Sequence, residues 1–341
     1  MLHLRLRVPP DLLDTVVDDL TQEPTVTNMG VVPDGYMHPQ GALVFADVAR
    51  ENATPVIGRL RDYGLEREGA IAVDPVDTML SRDAERSERM APGSPDDGVV
   101  WVQVEQKLRR DSQLSIAFVA FMTLAALIAG AGRILDQPIL IVGAMVVGPE
   151  FAPIAAICFA LSRPRLAMIP QAVVSMLVGF GAAVLIATAI WFIAFQFGAF
   201  TADQAATGAH TDFIIKPDGW SLVVAVFAGV AGTLSLTTAK SGPLVGVFIS
   251  VTTIPAVGAA AVCIAAGMWD EVWSCVAQLG INIVGMILAG AIALFLQQNR
   301  LDLGRQALDS VAGRTQRKGR KPQYLGDLCD GSRAFVKIEG S

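Results

Sequence analysis

The stretch ILIVGAMVVGPEFAPIAAICFALS, Ile139–Ser162, decides the architecture of the chain. It is long and apolar enough to cross a bilayer, since a spanning helix needs about 20 apolar residues. Gly148-Pro149-Glu150 lies near its middle, where the proline breaks the helix and a carboxylate replaces hydrocarbon. The stretch therefore predicts a membrane helix that is interrupted halfway. Irregular backbone at that depth is tolerated only inside protein or beside a water-filled cavity.

The distribution of apolar residues divides the chain into a membrane block and polar flanking segments. The 341 residues are 52% hydrophobic and 17% charged, whereas a typical soluble protein is about a quarter charged. Leu114–Leu296 is nearly free of charge. The net charge of −6 comes largely from the acidic N-terminal part and argues against a nucleic-acid partner. The four cysteines form no CxxC or Cys/His cluster, so we expect neither a metal site nor a disulfide framework, and no cofactor.

Six segments of the membrane block are long and apolar enough to span a bilayer. They are Leu114–Leu135, Ile139–Leu161, Pro170–Phe195, Trp220–Leu236, Pro243–Gly267 and Val272–Leu296. Lysine and arginine concentrate in alternate loops and in the C-terminal tail, and this bias places those loops and both termini in the cytoplasm. We therefore predict an α-helical, multi-pass protein of the bacterial cytoplasmic membrane.

The first 80 residues predict a small α+β domain in the cytoplasm. Strand patterns lie at Leu2–Val8, Val26–Val32, Ala42–Val48 and Gly69–Pro75, and helix patterns lie at Pro9–Leu20 and Thr54–Tyr63. A turn-rich segment at Pro33–Gly41 joins the middle strands. The order is βαββαβ, which is the ferredoxin-like arrangement. Such a domain either binds a small regulatory ligand or serves assembly, and the fold alone does not decide between them.

Three further segments connect or follow the two main parts. Ser81–Gly98 is charged and rich in proline and glycine, which is typical of a linker. Residues 99–113 bring Trp101, Val104 and Leu108 onto one helical side. That helix either lies on the membrane surface, with its basic residues facing anionic lipid, or extends the first membrane helix. Residues 299–341 form a basic cytoplasmic tail that we expect to be disordered.

The two halves of the membrane block resemble each other. VAFM at Val119–Met122 precedes IVGAMVV, and VAVF at Val224–Phe227 precedes LVGVFIS. AAIC at Ala155–Cys158 corresponds to AAVC at Ala260–Cys263. Three spans per half require the halves to insert in opposite senses, as in transporters built from 3+3 inverted repeats with broken second and fifth helices. Chance similarity between helices rich in alanine and glycine is the alternative.

The candidate site residues lie in the second, fifth and sixth predicted spans. They are Gly148, Pro149, Glu150, Thr252, Thr253, Pro255, Gln278 and Asn282. Glu150 either serves a substrate, a cation or a proton, or is the first-turn acid of a half-helix that begins at Pro149. The threonine hydroxyls contact a solute or bond back to helix carbonyls. Gln278 and Asn282 share one helix face and either line the cavity or bond helix to helix.

Three stretches carry a family resemblance. They are DQPILIVGAMVVGPEFAPIAAICFAL, GPLVGVFISVTTIPAVGAA and QLGINIVGMILAG. Together they resemble the domain of unknown function 389 family, which comprises uncharacterised hydrophobic membrane proteins of bacteria, and the resemblance runs from about Met1 to Gln298. Many relatives have a Ser-Pro-Leu-Met-type sequence where this chain has Gly148-Pro149-Glu150-Phe151. The resemblance therefore implies a shared proline break and the membrane architecture, but it implies neither a shared carboxylate nor a substrate.

These features predict a transporter or channel for a small solute or ion, regulated by the cytoplasmic domain and assembled as a homo-oligomer in the lipid bilayer. The alternative is a membrane-anchored receptor or assembly protein, with a small ligand at the N-terminal domain and no transport activity. We do not expect an enzyme, because one intramembrane carboxylate without a partnering histidine, a serine nucleophile or metal ligands is not a catalytic constellation.

Overall fold

The computed structural model describes residues 1–76, 78–91, 98–163, 165–212, 219–238 and 253–316, with side chains described as far as residue 299. Met1–Gln298 and Asn299–Ser341 form two separate units. A small four-stranded antiparallel sheet with helices occupies the N-terminal part, and a region of long apolar helices follows it.

The N-terminal elements are β1 (Leu2–Val8), α1 (Leu13–Gln22), β2 (Val26–Met37), β3 (Gln40–Val48), α2 (Ala53–Asp62), α3 (Leu65–Glu68), β4 (Ala70–Pro75), α4 (Arg82–Met90) and α5 (Trp101–Asp111). The apolar region contains α6 (Ile116–Ile134), α7 (Pro138–Val147), α8 (Phe151–Ser162), α9 (Ile169–Gln196), α10 (Ala202–Ala206), α11 (Gly219–Thr237), α12 (Thr253–Ala265) and α13 (Trp269–Gln316). Single turns of 3-10 helix lie at Pro10–Leu12, Arg50–Asn52 and Leu166–Met168.

The sheet has the strand order β2-β3-β1-β4, and all neighbouring strands are antiparallel. Strand β1 buries every second side chain, from Leu2 to Val8, against α1 and α2, as its alternating pattern predicts. The predicted turn at Pro33–Gly41 is wrong in extent. Strand β2 continues to Met37, because a shift in register between Val32 and Tyr36 keeps it paired with β3 through the Pro-Asp-Gly sequence.

The predicted linker Ser81–Gly98 contains a helix, α4, within its described residues. The Ser81 hydroxyl accepts a hydrogen bond from the Ala84 N–H group at 3.3 Å and begins the helix. Arg86 pairs with Asp83 one turn away, and Ala84 is buried against the domain. The charged composition of this segment predicted a linker, but the segment contains a capped helix whose charged side chains are favourably spaced. Residues 92–97 of the predicted linker lie outside the described residues.

Helix α5 is a separate helix that docks on α8. It ends at Asp111, and α6 begins anew at Ile116, where the Ser115 hydroxyl accepts from the Phe118 N–H group at 3.0 Å. The interpretation of residues 99–113 as an extension of the first membrane helix is therefore wrong. The predicted apolar side of α5 is buried, and the Trp101 ring lies 6.2 Å from that of Phe159 on α8.

The apolar region contains four helices long and apolar enough to span a membrane, by length and composition, within the described residues. They correspond to the first, third, fourth and sixth predicted spans. Helices α7 and α8 together count as a fifth, bent by 57° at their junction. The fifth predicted span, Pro243–Gly267, lies partly outside the described residues, and its described part is α12. The C-terminal tail continues α13 as helix as far as Gln316, whereas we predicted disorder from residue 299.

Helices α8 and α12 form the interior of the apolar region. Nine of the twelve residues of α8 are buried, and so is every residue of α12 except Ile264. Small residues allow this close packing, since Gly258 lies directly against the α6 backbone at Ala126. A helix that is apolar and buried on all sides belongs to the core of a bundle. By contrast, α9 exposes Leu177 and Leu185 on its outer face.

Glu51 in the N-terminal domain gives a testable stability effect. It is 8% exposed, and neither carboxylate oxygen has a hydrogen-bond partner among the described residues. Burial raises the pKa of this carboxyl, and the nearby Glu88 adds to the shift. Because the folded pKa exceeds the unfolded one, the folded domain binds more protons than the unfolded chain. The buried Glu51 carboxylate therefore destabilises the folded domain at neutral pH, and this destabilisation is relieved as the pH falls through the folded pKa.

We expect Glu51→Gln to stabilise the domain at pH 7 by about 1 kcal/mol, and we expect this gain to shrink on acidification. Hydrogen exchange of the full chain, followed at the peptides of α2, measures the effect. Glu85→Gln, an exposed substitution on α4, is the control. Unchanged or faster exchange in Glu51→Gln at pH 7 would contradict the expectation.

Candidate functional site

The N-terminal ends of α8 and α12 meet at a buried hydrogen bond. Oγ1 of Thr253 donates to Oε1 of Glu150 at 3.1 Å. Glu150 is 1% exposed and Thr253 is fully buried. Thr253 is the first residue of α12, and Glu150 immediately precedes α8. Two core helices therefore start at one point, with a carboxylate between them.

The predicted interruption at Gly148-Pro149-Glu150 is present in the structure. Helix α7 ends at Val147, Gly148 has an extended backbone, and α8 resumes at Phe151. Proline cannot donate the backbone hydrogen bond that would continue α7. Its carbonyl instead accepts from the Ala152 N–H group at 3.3 Å, at the start of α8. The break thus leaves the beginning of α8 inside the protein.

Glu150 does not act as a local helix cap. The capping interpretation places Pro149 at the first helical position and Glu150 in the first turn. In the structure α8 begins after Glu150, whose side chain makes no capping hydrogen bond. The carboxylate instead reaches Thr253, which is 103 residues away in sequence. It nevertheless lies at the positive ends of two helix dipoles, which favours a negative charge there.

Gly148 provides the space that the carboxylate occupies. A Cβ atom at position 148 would collide with Oε2 of Glu150 and with the Ile254 side chain. Within the described residues, this Oε2 has no hydrogen-bond partner, and no lysine, arginine or histidine forms an ion pair with Glu150. An uncompensated buried carboxylate costs several kcal/mol. The arrangement is therefore suited to take up a proton, a cation or a hydrogen-bond donor at Oε2.

The remaining candidates of the fifth span are placed only in part. Thr252 lies outside the described residues. Pro255 is buried in α12, two residues after Thr253. Thr253 bonds Glu150, so its hydroxyl is engaged across helices.

Gln278 and Asn282 are buried on α13, at 1% and 2% exposed. Their neighbours Leu279 and Ile283 pack against the core cluster that contains Ile254, the residue after Thr253. Oε1 of Gln278 has no hydrogen-bond partner within the described residues. The structure therefore joins Glu150 and Thr253 directly and buries the two amides on the helix that packs against the same core.

The sequence analysis did not identify Arg133 as a candidate residue. This residue is 1% exposed at the end of α6. Its guanidinium donates to the carbonyls of Ala205 and Ala206 and to Oγ1 of Thr211, and it pairs with Asp212 at 3.3 Å. Arg133 thereby holds the connection between α9 and α11 against α6. The sequence contains Arg133 and its polar partners, but it does not indicate that they lie close together in the fold.

Asp136 extends this cluster between α6 and α7. It accepts hydrogen bonds from Oγ1 of Thr211 at 2.8 Å and from the His210 N–H group at 3.1 Å, and its carboxylate lies 2.9 Å from Nδ1 of His210. The hydrogen bond with the His210 ring and those with Thr211 and the His210 backbone lower the pKa of the Asp136 carboxyl. The connection between α9 and α11 is thus held by Arg133 at the end of α6 and by Asp136 between α6 and α7.

Comparison with known proteins agrees with the predicted resemblance. The family model described as Domain of unknown function (DUF389) matches residues 145–288, a segment that includes Glu150 and Thr253. "Uncharacterized protein MJ0678" of Methanocaldococcus jannaschii is 23% identical over 184 residues, or 54% of this chain. The aligned part spans about half of that relative, namely 55% of its length. No solved structure matches the chain significantly.

Proposed function

We propose that the chain is a membrane transporter or channel for a small solute or ion, with its site at the junction of α8 and α12. One observation carries the proposal, namely the buried hydrogen bond from Thr253 to Glu150. Ionisable groups in membrane segments are costly and serve function by default. Apolar side chains of similar volume would stabilise a purely structural junction at least as well.

An inverted repeat of three spans per half accounts for this geometry. Both α8 and α12 are buried, and both carry an Ala-Ala-X-Cys motif. In such a repeat, broken helices at corresponding positions place their N-termini at a shared site near the bilayer midplane. The proposal includes six spans, with α12 completing the fifth, and both termini in the cytoplasm.

The charge at the junction indicates what the site takes up. Glu150 contributes a single negative charge, and two helix N-termini add positive partial charges. One proton or one monovalent cation neutralises the carboxylate, whereas a divalent cation would leave excess positive charge against the helix ends. Oxygen ligands from Glu150 and Thr253 suit a proton or a hard cation. We therefore propose a proton or a monovalent cation as the transported or coupling ion.

The N-terminal domain is proposed to be a ferredoxin-like regulatory domain. Its strand order supports that arrangement, and it is joined to the membrane helices by continuous contacts. Nε of Arg50 donates to the Gly98 carbonyl at 2.8 Å, and Val100 completes the domain core. The next residue, Trp101, packs on Phe159 of α8. A displacement of the domain would thus act on α8, which begins directly after Glu150.

These contacts also favour a second candidate, a membrane-anchored receptor or assembly protein without transport. In that case, ligand binding at the N-terminal domain would be transmitted through α5 to the membrane helices, and no solute would cross. The two candidates differ in one observable, which is flux.

Purified full-length protein reconstituted into liposomes tests the proposal. Proton, Na⁺ and K⁺ gradients and a panel of small solutes are applied, and uptake is compared with that of protein-free vesicles. We expect flux of at least one solute or ion above the control. If no member of the panel crosses faster than in empty vesicles, the transport proposal fails and the receptor remains.

A further inference from the structure

A polar cavity of about 510 Å³ lies where the N-terminal domain meets the connection between α8 and α9. The domain contributes Arg61, Asp62, Glu66 and Arg67 from α2, α3 and the turn between them, and the membrane part contributes Arg165. Small-molecule sites typically have volumes of about 300–1,000 Å³. The cavity is therefore large enough for a small organic ligand and is shared by the two parts of the chain.

The charged groups of this cavity are only partly paired with one another. Arg61 bonds Glu66 at 2.6 Å. Arg165 lies 3.6 Å from Glu105 on α5, which is too long for a good hydrogen bond. No ion pair within the described part of the chain engages Arg67, which is exposed. Two guanidinium groups from different parts of the protein therefore retain donors for a ligand.

The chemistry of these side chains specifies the class of ligand. Guanidinium groups present planar pairs of N–H donors that match phosphate oxygens, and such charge-assisted bonds are among the strongest in proteins. The carboxylates of Asp62 and Glu66 add acceptors, which suit hydroxyl groups on the same ligand. A phosphate ester that also carries hydroxyls satisfies both sets. Its source is either a soluble metabolite or a lipid headgroup at the membrane surface.

We infer that this cavity binds a hydroxyl-bearing phosphate ester, which bridges Arg67 of the N-terminal domain and Arg165 of the membrane part. The inference rests on the regulatory role proposed for the N-terminal domain, and it gives that role a site and a ligand class.

The contacts around Arg165 show how the ligand would act on the membrane helices. Arg165 follows Arg163, whose guanidinium lies 4.2 Å above the Trp101 ring. Trp101 in turn packs on Phe159 of α8. A ligand bound to both Arg67 and Arg165 would fix the positions of the N-terminal domain, α5 and the end of α8 relative to one another. Because α8 begins directly after Glu150, that arrangement bears on the proposed transport site.

Binding is tested on the full-length chain in nanodiscs, with AMP and inorganic phosphate as soluble probes. Calorimetric titration in phosphatidylcholine nanodiscs tests the soluble source. Native mass spectrometry of protein from nanodiscs that contain phosphatidylglycerol tests the lipid source. Arg67→Gln and Arg165→Gln each remove one proposed contact, and we expect each to weaken binding of AMP or of the lipid by about tenfold. Arg110→Gln, an exposed change on α5 outside the cavity lining, is the matched control.

Each outcome of this experiment decides the inference. A tenfold loss in both cavity variants, with Arg110→Gln unchanged, supports it, and the arm that shows the loss identifies the source. Absence of binding in both arms overturns it, and so does an equal loss in Arg110→Gln, which would indicate nonspecific attraction. The three substituted side chains are exposed, so unchanged thermal unfolding is expected and checks the fold. Binding without any flux would refute the transport proposal while leaving this site intact.

Discussion

Glu150→Gln is expected to reduce the flux of the reconstituted protein about tenfold or more, since losing one charge-assisted contact of about 1.5–3 kcal/mol has that effect. The amide keeps the shape of the side chain and keeps an oxygen that accepts from Thr253. It removes the charge that a proton or a cation neutralises. We therefore expect loss of ion-coupled flux with little loss of stability, measured in the same vesicles by uptake and in detergent by thermal unfolding.

Asp270→Asn is the matched control for this substitution, because it also converts a carboxylate to an amide but at an exposed position in the first turn of α13. It should leave flux unchanged. Wild-type flux in Glu150→Gln would show that the buried carboxylate is structural. Unfolding of Glu150→Gln, with flux lost for that reason, would be visible as a lowered unfolding temperature and would assign Glu150 to stability.

Arg133→Met should destabilise the folded protein by about 3 kcal/mol, because buried acceptors lose the hydrogen bonds of a charged donor. The change removes the guanidinium that donates to Thr211 and to two loop carbonyls, and it removes the ion-pair partner of Asp212. The connection between α9 and α11 should then detach from α6. Thermal unfolding followed by circular dichroism measures the stability, and limited proteolysis between residues 201 and 212 detects the detachment.

Two further variants distinguish this expectation from a general effect of lost charge. Arg86→Met removes an exposed arginine from α4 and should change stability by no more than about 0.5 kcal/mol. Arg133→Lys keeps the charge but loses the planar donor pair, so its stability should lie between those of the wild type and Arg133→Met. Equal stability of Arg133→Met and the wild type would show that the hydrogen bonds of Arg133 contribute nothing to the stability of the fold.

The sequence predicted those features that depend on local pattern. Strand β1 was predicted with correct bounds because alternation from Leu2 to Val8 has the period of a half-buried strand. The break before α8 was predicted because proline removes a helical hydrogen bond wherever it occurs inside a helix. Helix α4 was missed because a charged composition was taken as a linker, although the cap at Ser81 was present in the sequence.

The sequence did not predict the features that depend on contacts between distant residues. Glu150 has a plausible local role as a first-turn acid, and only the folded chain shows its bond to Thr253. Arg133 meets its partners 72 to 79 residues further along the chain. Local patterns pointed to Glu150 and Thr253 as candidates, but no local rule specifies which residues meet.

Chemical access to the junction tests most directly whether it is a transport site or a structural contact. Thr253→Cys is made in a chain whose native Cys158, Cys263, Cys275 and Cys329 are replaced by serine, with Asp270→Cys as the exposed control. Intact proteoliposomes are treated with a small, membrane-impermeant cationic thiol reagent. The expected result is that the Thr253→Cys thiol reacts from the aqueous phase, more slowly than Asp270→Cys, and is protected by the transported ion. A thiol at position 253 that stays unreactive until the protein is denatured, while Asp270→Cys reacts, would contradict it.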